Sequence, residues 1–395
     1  MSVSAGKSTG APLLPPATLG MLGGGQLGRF FVIAARQMGY RVWVLDPDPK
    51  SPAGQLADRH LCADYSNETA LAEMAKGVAA VSTEFENVPA ASLDFFCKRG
   101  LPVRPGPKAV AVCQHRVAEK EFLRDNNLPH APFAVVNAES DLRAAPVNLF
   151  PGILKVARFG YDGKGQAVVD NREAALAAWQ AFGGEPCVLE QKLSLDYEVS
   201  VVLARDAAGR VSSFPVGENI HRKGILDISI VPARMGGCKS GDAQEIAESV
   251  AQALDYEGVL GVEFFVSRGL LYVNEMAPRP HNSGHYTIDA CITSQFEQQL
   301  RVMCGLPLGD ARAHSSAVMV NLLGDLWFAA DDRDTPREPD WSKLLAVPGL
   351  KLHLYGKESA RPGRKMGHFT VLDADPEKAQ ARAMLARTAI GIVDA

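Results

Sequence analysis

No apolar run in the sequence reaches the ~18 residues that a membrane-crossing helix needs, so no span is expected. Positive charge is not in excess either. The formal net charge is −4, which leaves no electrostatic footprint for a nucleic acid. Cysteine is scattered: the seven residues stand at 62, 97, 113, 187, 238, 291 and 304, and none form a CxxC pair. That spacing argues against a zinc ribbon or a disulfide framework and fits reduced thiols in a cytoplasmic protein. No stretch has Walker A spacing, which argues against a P-loop NTPase. No biotin-carrier segment with a modifiable lysine is visible. The first 18 residues lack the basic start and apolar core of a signal peptide and are expected to form a flexible lead-in. What remains is ordinary: 395 residues, 47% hydrophobic and 22% charged, a globular chain of two or three domains.

An apolar strand at 19–22 enters Gly23-Gly24-Gly25-Gln26-Leu27-Gly28-Arg29. A helical pattern follows to Met38, then a strand at 41–45 closed by Asp46. This is a βαβ unit with a GxGxxG match. Its glycines let backbone approach a phosphate, and the helix start supplies amide donors. Asp46 lies near the spacing of a ribose-binding acid, so an NAD(P) reading stays open beside a phosphate monoester and simple helix packing. A further strand at 78–82 ends in Glu84 and Asn87. Polar groups just past such a strand are where open α/β sheets bind ligands. Asn87 serves equally as a helix cap. Residues 19–114 are therefore expected to form a doubly wound parallel α/β domain.

The next segment has a different rhythm. A charged amphipathic helix covers 116–126, and Asn126-Asn127-Leu128-Pro129 reads as a hinge. Lys155 sits on a strand at 152–156, followed by a basic glycine-rich loop at 158–165 and a strand at 166–169. Such a flap suits phosphates, although a flexible polar hairpin fits the same residues. His221 gains weight only through its neighbours.

Two apolar runs at 259–266 and 270–275 carry Glu263 and Glu275. A buried carboxylate needs compensating charge. With Ser267-Arg268-Gly269 as a three-residue loop, Glu263 faces Val273 and Glu275 is its diagonal neighbour on one sheet face, ~7–8 Å away. Two acids so placed suit Mg²⁺, although two rim glutamates in water fit the same residues. The same register turns Asn274 to the opposite face, so a metal role for it requires a bulge. A polar loop at 276–285 follows, in which Arg279 can clamp a planar anion by paired hydrogen bonds. A helix is expected at 287–304. Strands are expected at 316–323, 350–355 and 369–372, with Lys357, Arg361, Arg364 and Lys365 crowding the loop between the last two.

Lys155, the flap, Glu190 and the Glu263…Asn274-Glu275 pair resemble an ATP-grasp ligase. More closely, the chain is similar to the N5-carboxyaminoimidazole ribonucleotide synthetase family of purine biosynthesis. The matching stretches are GGGQLGR, DPDPKSPA, EFENVP, the flap, NEMAPRPHNSGH, TSQFEQ and KLHLYGK…RPGRKMGH, spanning about 20 to 372. His115 departs from the pattern, since relatives generally carry an acidic or amide residue before Arg116.

The resemblance implies an N-terminal α/β domain (19–114), an ATP-grasp domain (115–311, its flap subdomain about 130–195) and a small β-rich C-terminal domain (312–395). It places Arg116, Lys155, Gly160, Tyr161, Asp162, Gly163, Lys164, Gly165 and Gln166 on ATP phosphates. Glu190, Gln191, Lys192, Leu193, Glu198 and His221 would surround the nucleoside. Glu263 and Glu275 would bind Mg²⁺, with Asn274 adjoining. The acceptor phosphate would sit on Gly25, Gln26 and Leu27, helped by Lys357 and Arg364. Glu84, Asn87, His281, Asn282 and Ser283 would line the rest of the acceptor site. Arg279, Tyr161, Asp162, Lys357 and Arg364 are the implied catalytic groups.

The implied reaction uses ATP and bicarbonate to carboxylate 5-aminoimidazole ribonucleotide through carboxyphosphate. It needs no biotin and no NAD. The implied partners are small molecules and a second copy of the chain, in the cytoplasm. Three rivals remain at this stage: an NAD(P) oxidoreductase, another ATP-grasp carboxylase or amino-acid ligase, and a silent nucleotide-binding regulator.

Overall fold

The computed structural model describes residues 11–158, 165–328 and 335–392. Its N-terminal sheet is fully parallel, in the order Arg59–Leu61, Arg41–Leu45, Thr18–Leu22, Ala80–Thr83. The chain fills one side of Thr18–Leu22 first and the other side last. The topological switch therefore lies between Thr18–Leu22 and Ala80–Thr83, and open α/β sheets bind ligands at such a point. Gly23–Gly25 and Glu84 stand there. The helix Gln26–Gln37 packs tightly over the turn. A Cβ on Gly28 would lie 2.7 Å from the Gly23 carbonyl oxygen, so no larger residue fits without moving backbone. Gly28→Ala is expected to cost about 1–3 kcal/mol by overpacking, read as a lower urea midpoint at unchanged slope.

Two further sheets form the cleft. One is antiparallel, in the order Phe133–Val136, Cys187–Gln191, Gly152–Val156, Gln166–Val169. Its core joins Val136, Leu154 and Leu189 to the helices Glu139–Ala144 and Arg172–Ala181. The other has nine strands among the described residues. It runs Leu270–Ala277, Gly258–Ser267, Tyr197–Arg205, Gly217–Arg222, Ile225–Val231, Ser316–Leu323, Lys365–Asp373, Leu350–Leu354, with Val211–Ser213 added to Tyr197–Arg205. The C-terminal strands thus extend the central sheet. Period-2 alternation assigns its faces. Val199, Val201, Leu203, Val262, Phe264 and Val266 pack on the helix Ser240–Ala253. Glu198, Ser200, Glu263 and Phe265 take the opposite face, where the Lys155 ammonium lies 6.0 Å from the Phe265 ring centre.

Several expectations need correction. Residues 13–17 are not a loose lead-in: the Leu13 amide donates to the Cys304 carbonyl at 2.8 Å, and the Tyr40 hydroxyl donates to the Leu13 carbonyl at 2.7 Å. The helix expected at 287–304 is two, Thr287–Ala290 and Gln295–Met303. Ser294 interrupts it, because its hydroxyl accepts the Glu297 amide and caps a new helix start. Residues 101–103 contribute only a bridge between Val103 and Val81.

Candidate active site

The carboxylate hairpin departs from its expected register twice, and the departures cancel. Its loop has two residues: Ser267 pairs with Leu270, while Arg268 (φ 52°) and Gly269 (φ 71°) both take the left-handed conformation of a tight hairpin turn. Carried along regular strands, that register would set Glu263 against Asn274 and turn Glu275 to the wrong face. A bulge follows Phe264↔Val273, however, and Glu263 pairs directly with Glu275. The acids are immediate cross-strand partners, where a diagonal relation to Glu275 and a Val273 partner for Glu263 were expected. Burial shows the change of phase: Leu271, Val273 and then Met276 enter the helix-packed core. Asn274 and Glu275 both lie off that face, so the bulge on which a metal role for Asn274 depends is present.

Charge around the pair is unbalanced. Burial pushes the Glu263 carboxyl up to about 7, with Glu275 and Glu198 adding to the rise and His221 opposing it. His281 Nε2 lies 3.6 Å from Glu263, and an Arg116 guanidinium nitrogen lies 3.9 Å from Glu275. His221 Nδ1 stands 3.0 Å from Glu198. Burial disfavours the charged imidazole, but Glu198 and Glu263 outweigh it and raise the His221 pKa. Among the described residues no group of three or more His, Cys, Asp or Glu side chains forms a closed metal cage. The buried Glu263 carboxyl, with Glu275 paired across from it, fits a cation whose remaining ligands come with a substrate.

A second charged cluster joins the two sheets. Glu190 lies near the end of the strand Cys187–Gln191, and Lys155 lies on the strand beside it. Lys155 Nζ is 3.0 Å from one Glu190 oxygen, and Lys120 Nζ is 3.3 Å from the other. Burial opposes ionisation of Glu190, yet the two ammonium groups hold its carboxyl at about 2. Burial lowers the Lys155 pKa. Backbone fixes the end of this strand within its own sheet: the Gln191 amide donates to the Pro132 carbonyl and the Lys192 amide to the Pro151 carbonyl, both at 2.9 Å. Leu193 follows in the segment that leads to the strand Tyr197–Arg205, which carries Glu198. Gly165 accepts the Val156 amide at 2.8 Å, and Gln166 begins the returning strand. Gly160, Tyr161, Asp162, Gly163 and Lys164 lie outside the described residues.

The third part is the glycine turn. Glu84 reaches it, accepting the Gly25 amide at 2.7 Å and the Gly28 amide at 3.1 Å. Among the described residues, the amides of Gln26 and Leu27 take no intramolecular partner. Asp46 turns inward, accepting the Gly24 amide and the Tyr65 hydroxyl, each at 2.6 Å, and the Asp48 amide at 2.9 Å. It is a brace for the turn, which leaves the ribose-acid reading without its residue. Asn87 is not the expected cap either, since the helix Ala90–Cys97 starts at Pro89 with no side-chain bond.

Arg279 is anchored by Glu86, with Nε to Oε2 at 2.6 Å, and a second nitrogen donates to the Pro280 carbonyl at 3.0 Å. Among the described residues, neither the oxygen nor the nitrogen of the buried Asn282 amide has a hydrogen-bond partner. Ser283 is fully buried and bonded to Ser200 and His281, each at 2.8 Å, so its hydroxyl supports the loop. Lys357 donates to the Lys365 carbonyl and Arg364 to Ser359, each at 2.7 Å. Lys365 is close enough for its charge to act on Glu86, Glu263 and His281. The basic loop therefore reaches the same cleft.

Four contributors went unmarked in the sequence: Glu86, Glu119, Lys120 and Gln295. Gln295 clamps His281 through its backbone, accepting the amide and donating to the carbonyl at 2.8 Å each. No spacing rule links such side chains to the loops they hold.

Three family models match in succession. They are a ribonucleotide synthetase preATP-grasp domain over 16–114, an ATP-grasp domain over 121–296, and a phosphoribosylaminoimidazole carboxylase C-terminal domain over 317–382. The N5-carboxyaminoimidazole ribonucleotide synthase of Brucella melitensis is 44% identical over 363 residues, covering 91% of this chain and 97% of its own. The N5-carboxyaminoimidazole ribonucleotide synthetase structure from Thermus thermophilus is 38% identical with a TM-score of 0.86, covering 95% and 99%. The Aspergillus clavatus enzyme, solved with ADP and 5-aminoimidazole ribonucleotide, is 29% identical with a TM-score of 0.85, covering 95% and 99%. By fold and by these relatives, the chain belongs to the N5-carboxyaminoimidazole ribonucleotide synthase family of ATP-grasp enzymes.

Proposed function

We propose that the cleft carboxylates 5-aminoimidazole ribonucleotide at the expense of ATP and bicarbonate. The observation that carries this reading is the position of Arg279. Its largely buried guanidinium interacts with Glu86, Glu84 and Glu275, raising its own pKa despite burial. Its charge thus acts on both Glu275 of the acid pair and Glu84 of the glycine turn, which supports a small anion held where the two substrates would meet.

The residues divide the work by charge. Arg116, Lys155 and the flap hold the nucleotide phosphates, while Glu190, Leu193, Glu198 and His221 border the nucleoside. Glu263 and Glu275 hold Mg²⁺, which when bound neutralises charge on the transferring phosphoryl group. Arg279 orients bicarbonate, whose oxygen attacks the γ-phosphorus and releases ADP. The amine of the ribonucleotide then takes the carboxyl group and phosphate leaves. Chemistry of this kind rests on positioning and on preorganised donors. The amides of Gln26 and Leu27, with Lys357 and Arg364, hold the acceptor phosphate. The unpartnered Asn282 amide supplies both a donor and an acceptor to the acceptor's polar edge.

With MgATP and bicarbonate, ADP release and formation of the carboxylated nucleotide are expected to rise together when 5-aminoimidazole ribonucleotide is added. Absence of acceptor-dependent product overturns the reading. The same reading carries a homodimer, which light scattering of the purified chain tests.

A further inference from the structure

The strand Leu270–Ala277 lies at the edge of the large sheet, so its outward backbone groups need partners from elsewhere. The helix Arg116–Asp125 supplies them with two consecutive buried charged residues. Lys120 Nζ donates to the Asn274 carbonyl at 3.0 Å and to the Val273 carbonyl at 3.5 Å. Glu119 accepts the Met276 amide at 2.6 Å. These bonds bracket the bulge that sets Glu275 opposite Glu263. Lys120 and Glu119 are 0% and 1% exposed, and burying charge is costly unless it is paired. Lys120 finds its counter-charge in Glu190, 3.3 Å away on the other sheet.

We infer that Lys120 is a positioning residue for the metal pair, which rests on the reading of Glu263 and Glu275 as Mg²⁺ ligands. It pins the bulge so that the acids share one face, and it ties that register to Glu190 at the nucleotide end of the cleft. Glu119 secures the other side of the bulge.

The test uses the full chain and Mn²⁺ as probe, with ADP present, followed by electron paramagnetic resonance. Lys120→Met is expected to weaken Mn²⁺ binding about tenfold, the low end of what loss of a supporting contact costs a metal site. The Mg²⁺ needed for half-maximal turnover should rise in parallel, while KM for the ribonucleotide stays within about twofold. Glu119→Ala leaves the Glu190 contact intact, and a smaller loss of Mn²⁺ affinity is expected. It decides the matter alone where Lys120→Met does not fold. Mn²⁺ affinity within about twofold of the parent in the folded variants overturns the inference, as does a loss confined to ribonucleotide affinity. The function itself is judged separately, by product formation in the unaltered chain.

Discussion

Glu190→Gln is expected to lower the unfolding free energy by about 3–5 kcal/mol, the usual result of removing one partner from a buried ion cluster. Glu190 is 2% exposed, Lys155 5% and Lys120 0%. Glutamine keeps the shape of the side chain but leaves two buried ammonium groups without their shared counter-charge. The pH dependence has a definite sign. Glu190 is held at about 2, below the 4.5 of an ordinary glutamate. A depressed carboxyl stabilises the fold above the unfolded pKa, and that contribution is lost as the proton returns. The parent therefore keeps this stabilisation above pH 4.5 and loses it toward pH 2. Urea unfolding at pH 7 should show the full gap between parent and variant, and the gap should narrow below pH 4.5. An unchanged midpoint at pH 7 would mean that the lysines find other partners.

Much of this site was legible in the sequence because it follows strand and turn chemistry. GxGxxG between two apolar runs gives the glycine turn, and Lys155, Glu190 and Glu263 sit on strands that burial patterns reveal. The acids' common face was also legible, though through a wrong register. A loop one residue shorter than expected is hard to distinguish, since Arg268 adopts a left-handed conformation that glycine usually takes. The bulge at Asn274 leaves no mark in hydrophobic alternation until Met276 is known to be buried. Lys120 and Glu119 were hidden for another reason. Charged residues in an amphipathic helix normally face water, and only the opposing strand edge shows that these two face inward. Likewise, Glu84 points to a ligand crevice by its place after a strand. That it occupies two amides of the glycine turn is a tertiary fact.

Glu263→Gln should have the opposite effect on the metal-free fold. Its carboxyl is held at about 7 by burial and by the neighbouring carboxylates. A raised carboxyl favours the fold below the unfolded pKa, and this advantage is lost as pH rises through the folded one. The metal-free parent should thus lose stability between pH 4.5 and about 7. A shift of this size corresponds to about 3–4 kcal/mol once ionisation is complete. Glutamine cannot ionise, so at pH 8 without Mg²⁺ the variant should be the more stable protein by about that amount. Adding Mg²⁺ and ADP should reverse the order. The parent gains binding energy and releases a proton near pH 7, because a ligand carboxyl must be deprotonated to hold the metal. The variant should gain little, its metal affinity falling at least the roughly 10–100-fold that loss of a supporting group costs. Thermal melts with and without Mg²⁺–ADP, and calorimetry in buffers of different ionisation enthalpy, measure both halves. A variant that is less stable without metal, or binding with no proton release, would show that Glu263 is not an acid held in wait for a cation. The contrast with Glu190 is one of neighbours. Both carboxyls are largely buried, but two ammonium groups offset the burial of the first, while His221 and Lys365 leave that of the second, with Glu275 and Glu198 beside it, uncompensated, so the same substitution loosens one end of the cleft and relaxes the other.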